Sequence, residues 1–384
     1  MAGRQRAVDT GLSMNIPILD LTAQLAQYRE AALSAITRVV DSQRFIMGDE
    51  VTRFEAALAE YVGVPHGIGV SSGTDALLAA LMALDVGPGD EVLTTPFSFF
   101  ATAGVVARLG AKPVFVDIDP ATFNLTEAAV RGAITSKTKA IIPVHLFGQM
   151  CDLGTLYEAT DRPAIIEDSA QALGASLRGK MNGHFGDCAC VSFFPSKNLG
   201  GFGDGGGILS RDDDFAERMR IMRVHGSKPK YHHHVVGGNF RLDALQAAVL
   251  AVKLPFLDGW ADGRRANADR YAALFEERGL VRRGLVKPPV EMVGARHVYN
   301  QYVIRAQRRD ELKGYLSQHG VGSMVYYPQP LHLQPCFADL NYGEGDFPEA
   351  ERACQEVLAL PVYPELEPEA LSSVVDTVCS FYGV

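Results

Sequence analysis

Short apolar runs alternate with amphipathic stretches through the first two thirds of the chain. Leu19 to Leu33 reads as an arm running into a helix, and Val51 to Val62 as a second helix. Gly67-Ile68-Gly69-Val70 is a short strand, and Ser71 to Thr74 a turn. Asp75 to Leu84 is a helix, with Leu77, Leu78, Leu81 and Met82 at helical spacing. The Gly- and Pro-containing run Val86 to Asp90 ends it. Further strands are predicted at Glu91 to Thr95, Pro113 to Asp117, Ala140 to Val144, Ala164 to Glu167, Ala189 to Phe194 and Gly207 to Ser210. Helices fall between them at Ala101 to Leu109, Thr126 to Ile134, Leu153 to Ala159 and Asp214 to Val224, with Thr126 as a cap. Such alternation implies a mostly parallel sheet with helices on both faces. Ligands then bind beyond the carboxyl ends of the strands. Ser72, Phe99 and Asp168 all fall just past strand ends.

Gly237 to Phe256 starts as a loop and continues as a helix. Ala261 to Arg278 is long and polar and reads as the link into a second unit. That unit mixes strands (Tyr299 to Ile304, Val325 to Tyr327) with helices (Asp310 to His319, Pro348 to Leu358, Pro368 to Phe381). The expected organisation is an N-terminal extension or arm at 1–25, a large domain at 26–260 and a small α+β domain at 261–384.

Composition narrows the class. The chain is 47% hydrophobic and 21% charged, as ordinary globular proteins are. A net charge of −9 and no dense Lys/Arg run argue against a nucleic-acid binder. No apolar stretch is read as reaching the length of a membrane span, and the polar start, MAGRQRAVDTGLSM, lacks the apolar core of a secretory signal. Six scattered cysteines with no C-x-x-C read as reduced thiols in a cytoplasmic protein, with no metal site.

The chemistry concentrates in the stretch CACVSFFPSKNLGGFGDGGGIL, from Cys188 to Leu209. Lys197 lies there between an apolar run and a Gly-rich turn. Most lysines are solvated surface charges; one held in a pocket is desolvated, has a lowered pKa and can form a Schiff base. Asp168 ends a strand upstream, and Ser72-Gly73-Thr74 opens a helix. A lysine, a carboxylate for a pyridinium nitrogen and a helix N-terminus for a phosphate are the three parts of a pyridoxal 5′-phosphate site.

Five stretches then carry a resemblance: SSGTDAL, PFSFFAT, IIEDSAQALGA, SFFPSKNLGGFGDGG and GGNFRLDALQAA. In that order they resemble the DegT/StrS-type nucleotide-sugar aminotransferases, from about Ile18 to the C-terminus. The resemblance implies pyridoxal phosphate fold type I, aspartate aminotransferase-like. It makes Lys197 and Asp168 the catalytic pair. It also implies that Gly73, Thr74 and Ser192 hold the phosphate, that Phe99 stacks on the ring and that Gln171 meets the ring's phenolic oxygen. Asn239 would come from the neighbouring subunit, making a homodimer with shared active sites. The stretch HGSKPKYHHHVVGGNFRLD resembles the subgroup acting on 3-keto sugars, and suggests His232 and His233 beside the sugar. Tyr326, Tyr327 and His332 resemble a substrate-facing loop.

Two patterns are set aside. Gly201-x-Gly203-x-x-Gly206 fits a dinucleotide fingerprint, but a β-like run follows it where a helix is required. The adjacent histidines at 232–234 do not share a face and have no accompanying carboxylate motif. The expected protein is a cytoplasmic aminotransferase. It would move an amino group, from L-glutamate with release of 2-oxoglutarate, to C3 of a nucleotide-linked keto sugar for surface polysaccharide, lipid A or glycoconjugate synthesis. The alternatives are a 4-keto-sugar aminotransferase and a non-catalytic sensor on the same fold. A related dehydratase branch carries histidine where Lys197 stands.

Overall fold

The alternating pattern folds as a seven-stranded sheet between helical layers in a computed structural model that describes residues 15–384. Its first five strands in chain order are β1 (His66–Val70), β2 (Glu91–Thr94), β3 (Lys112–Phe115), β4 (Thr138–Ile142) and β5 (Ala164–Asp168). Two small strands lie outside it, β6 (Ser176–Leu177) and β7 (Lys180–Met181), before β8 (Cys188–Ser192) and β9 (Gly206–Ser210) complete it. The order across the sheet is β1-β9-β8-β5-β4-β2-β3. Pairing is parallel except along β9, which runs antiparallel to both neighbours.

Both faces are buried, so the strands read as apolar runs. On β8, Cys188 and Cys190 join the core formed with helices Gly73–Ala83 and Asp213–Met222. The alternate residues Ala189 and Val191 join the opposite core with Asp49–Val62 and Ala244–Lys253. That is the period-two geometry of a strand.

A second sheet follows helix Leu257–Glu277. It consists of β10 (Val286–Lys287), β12 (Tyr302–Ala306) and β13 (Val357–Leu360), all antiparallel, with β11 (Ala295–Arg296) pairing back to β6. Its core joins helices Arg309–Gln318 and Pro368–Tyr382 with the end of Leu257–Glu277.

Several expectations change. The predicted helix over 153–159 is a 3₁₀ segment, Gly154–Glu158. The helix predicted to reach Leu358 stops at Glu356, because Val357-Leu358-Ala359-Leu360 is buried throughout and completes the second sheet. No strand forms at 325–327; pairing there is one bridge, Met324 with Ala359, and Pro328 and Pro330 lack the N–H a ladder needs. The helical run Ala244–Glu277 contains an 18-residue window of mean hydropathy 1.2, more apolar than the sequence reading allowed. More than half of that window is buried inside the fold, as in a core helix. In the predicted arm, Leu21–Leu25 is a short helix capped by Asp20, and residues 1–14 lie outside the described residues.

Candidate active site

The carboxyl ends of β1, β2, β4, β5 and β8 open into one cavity of about 420 Å³. Its walls include Ser72, Gly73, Thr74, Phe99, Asp168, Gln171, Ser192, Lys197, Tyr326 and Tyr327. The chain leaves β8 at Ser192, forms a turn carrying Lys197 and returns as β9 at Gly206. Backbone bonds close the turn: Lys197 N–H donates to Phe194 O at 2.8 Å and Gly201 N–H to Phe193 O at 2.8 Å. At its base, Phe193 N–H donates to Gly205 O at 2.8 Å.

Burial lowers the pKa of Lys197, and the negative charge of Asp168 partly opposes that shift. Asp168 shifts the other way. Burial raises its carboxyl, while the Thr102 hydroxyl, the Ala170 amide and the charge of Lys197 favour the ionised form. Thr102 Oγ1 donates to Asp168 Oδ2 at 2.8 Å and sits 3.0 Å from Ser98 Oγ. The backbone of Asp168 is also fixed: its N–H donates to Pro143 O and its carbonyl accepts from His145, both at 2.9 Å. Behind it, the buried His145 accepts the Cys151 amide at Nδ1, so its Nε2 proton faces Glu167 at 2.8 Å. The other oxygen of Glu167 accepts amides from Gly183, Phe185 and Gly186.

At the opposite wall, Ser72 caps helix Gly73–Ala83 by accepting the Asp75 amide at 3.0 Å. The first amides of a helix have no partner within it, and here Gly73 and Thr74 line the cavity beside Ser192. That wall depends on two glycines. A Cβ on Gly73 would lie 2.8 Å from Ser192 Cβ, and one on Gly206 would lie 2.3 Å from the Ser72 backbone. The donor set therefore suits pyridoxal phosphate: helix amides and the Ser192 hydroxyl for a phosphate, a buried carboxylate for a ring nitrogen, and a lysine amine whose charged form burial disfavours, within the same cavity.

The three phenylalanines of the PFSFFAT stretch separate cleanly. Phe97 is fully buried, and Phe100 stacks on Phe337 at 5.6 Å. Phe99 is 58% exposed and lines the cavity. Gln171 is engaged on both sides: its Oε1 accepts the Phe147 amide at 2.7 Å, and its Nε2 donates to Tyr327 OH at 3.3 Å. Burial and the charge of Asp168 push the Tyr327 phenol well up.

Three expected residues, His332, His232 and His233, are not brought to this cavity, and Asn239, expected from a neighbouring subunit, lies outside it in its own chain. His332 is buried elsewhere, with Nε2 3.2 Å from Glu351 Oε1 and its ring edge-on to Phe347 at 4.7 Å. It fastens the loop it ends. His232 and His233 lie on an exposed segment, where His233 Nδ1 sits 2.8 Å from the His225 carbonyl. Asn239 is exposed and bridges backbone-to-backbone with Val224. Thr102, under Asp168, closes the PFSFFAT stretch one helical turn past Phe99, and only its bond to Asp168 marks it as part of the site. Gln301, whose Oε1 is buried without a partner, lines the cavity too and carries no sequence signal.

Comparison with known proteins agrees with this geometry. A sequence profile described as the DegT/DnrJ/EryC1/StrS aminotransferase family matches residues 26–379. A Geobacillus stearothermophilus protein named "Pleiotropic regulatory protein" is 53% identical over 371 residues, covering 96% of this chain and 99% of that one. The UDP-N-acetyl-3-dehydro-alpha-D-glucosamine 3-aminotransferase of Acidithiobacillus ferrooxidans is 42% identical over 365 residues, covering 94% and 97%. Among solved structures, DesV of S. venezuelae, crystallised with a ketimine intermediate, superposes with a TM-score of 0.91 at 40% identity, covering 96% and 98%.

Proposed function

Because this chain belongs to the DegT/DnrJ/EryC1/StrS aminotransferase family and its cofactor is pyridoxal 5′-phosphate, we propose that it aminates C3 of a nucleotide-linked keto sugar, with L-glutamate as the donor. The observation that carries the reading is the pairing of a desolvated Lys197 with a buried Asp168 in one cavity, opposite an open helix N-terminus. The relative that acts on a 3-dehydro sugar supports position C3.

The cofactor, when bound, supplies an electron-withdrawing ring that acidifies the carbon beside the migrating nitrogen. The protein does the rest. The Gly73 and Thr74 amides and Ser192 Oγ hold the phosphate. Asp168 would hold the ring nitrogen in its protonated form, and the Thr102 hydroxyl favours the ionised carboxylate against its burial. Phe99 covers one ring face. Lys197 Nζ, whose charged form burial disfavours, would be the group that accepts and returns a proton at the carbons flanking the transferred nitrogen. Tyr326 and Tyr327 close the substrate side and reduce the access of water. Asn239 acts from a second copy, so the working unit is a homodimer in the cytoplasm.

The regulatory name of one relative favours a second reading, a non-catalytic sensor on this fold. Against it stands the full chemical set: a sensor needs neither a depressed lysine nor a supported carboxylate. The deciding experiment is the absorption spectrum of the purified protein with and without L-glutamate, followed by paired 3-keto and 4-keto nucleotide sugars. A visible band that fades with glutamate and returns with the 3-keto sugar is expected. A band indifferent to glutamate would displace the donor assignment, and no band with added cofactor would favour the sensor.

A further inference from the structure

The turn that carries Lys197 is held from beneath by helix Ala244–Lys253. Gln246 Oε1 accepts the Phe202 amide at 2.8 Å. Two turns along the same helix, Lys253 Nζ donates to the carbonyl of Gly200. Residues seven apart lie on one helical stripe, about 10 Å from each other. The two side chains therefore grip the Gly-rich turn at two separate backbone groups.

Lys253 is an unusual choice for such a grip. It is 2% exposed. Its ammonium lies over the rings of Tyr28 at 5.0 Å, Trp260 at 5.7 Å and Phe202 at 6.0 Å. No carboxylate acts on it among the described residues; burial alone pushes it down to about 8. A buried cation without a counter-ion is costly. Three aromatic faces, one carbonyl and the C-terminal end of its own helix compensate in part. A hydrocarbon side chain would fill the space without that cost but could not hold the carbonyl. The turn itself has little slack, since a Cβ on Gly200 would lie 2.1 Å from Pro195 O. Behind the cage, Trp260 Nε1 donates to Gln27 at 3.0 Å and Gln27 donates to Glu365 at 2.7 Å, so the grip continues into the C-terminal unit.

We propose that Lys253 and Gln246 are positioning residues that clamp the turn after Lys197 and set how deeply its amine sits in the cavity. The clamp follows from backbone bonds to the turn; its catalytic consequence rests on the role given to Lys197 above.

The test uses the full chain in two states. In the cofactor-free protein, acylation of Lys197 is followed against pH by mass spectrometry of its peptide. Lys253→Met removes the donor and the charge but keeps the stem, Lys253→Arg keeps both, and Gln246→Leu releases the other grip. Lys253→Met is expected to let the amine take up water and to raise its labelling midpoint by about one pH unit. Lys253→Arg should keep the midpoint near that of the parent, and Gln246→Leu should raise it less. A Leu250→Ala control should lose stability with no shift in midpoint. In the holoenzyme, kcat should fall by about tenfold in Lys253→Met with KM unchanged. If Lys253→Met does not fold, Gln246→Leu alone decides. Labelling curves that coincide with the parent overturn the clamp. A shifted curve with no aminotransferase activity even in the parent would leave the clamp standing and remove the functional reading instead.

Discussion

Thr102 Oγ1 donates to Asp168 Oδ2 at 2.8 Å inside the sheet's carboxyl edge, where both side chains are buried. This bond favours the ionised carboxylate against a burial that favours the protonated one. With its folded pKa raised above the ordinary 3.8, Asp168 adds stability at pH values below that ordinary value. That contribution is lost as pH rises through the raised value. Thr102→Val raises the carboxyl further. In the cofactor-free protein it should cost about 1–3 kcal/mol at pH 7 and less near pH 4. Urea unfolding at the two pH values checks this; an equal loss at both would rule out the charge-based account.

Phe97 and Phe99 are two residues apart and should respond in opposite ways. Phe97→Ala empties a fully buried site and should cost roughly 3–5 kcal/mol of stability. Phe99→Ala removes a ring that is 58% exposed and should leave unfolding almost unchanged while weakening cofactor retention. Thermal unfolding of the cofactor-free proteins beside equilibrium dialysis with pyridoxal phosphate separates them. A large stability loss in Phe99→Ala would make that ring a core element.

Gly73→Ala places a methyl 2.8 Å from Ser192 Cβ, so the start of the helix must move away from the strand. Affinity for pyridoxal phosphate should fall by about tenfold or more, since the helix amides no longer converge. Adding Ser192→Gly relieves the contact but removes a hydroxyl. The double variant should therefore recover stability more than affinity, which titration calorimetry and thermal melts read separately.

The sheet was legible because both its faces are buried. Its strands, such as Ala164–Asp168, read as apolar runs bounded by turn residues, and their ends placed Asp168 and Ser72 together. What failed lay where tertiary pairing outweighs local pattern. Val357–Leu360 continues a helical rhythm, but its pairing with β12 makes it a strand. In the site, residue type plus position past a strand end identified Lys197, Asp168 and Gly73. Those cues say nothing about which side chain turns inward. His332 shares a stretch with Tyr327 yet is drawn away by Glu351. Thr102 carries no such cue because its hydroxyl matters only through Asp168.

His297 supplies an acid-sensitive element outside the cavity. Burial, then the charge of Arg265, push it down to about 3, and its Nδ1 accepts the Tyr299 amide at 2.9 Å. A folded pKa below the unfolded value of 6.5 means full stability above that pH. As pH falls, the unfolded chain gains a proton that the folded one refuses. The contribution should disappear at about 1.4 kcal/mol per pH unit between those limits. His297→Gln should flatten the pH–stability profile by that slope relative to the parent. Parallel profiles would show that the imidazole is not held neutral.

The reversed strand β9 has a kinetic consequence. A lysine on an ordinary strand-to-helix connection would sit on a loop whose far end is free to breathe with its helix. Here both ends of the loop join the same ladder, Ser192 opposite Gly206. The wandering that a tethered amine would otherwise have to give up on every catalytic cycle has already been given up once, when the chain folded. A chain break engineered within 198–204 would leave the sheet paired and restore that wandering.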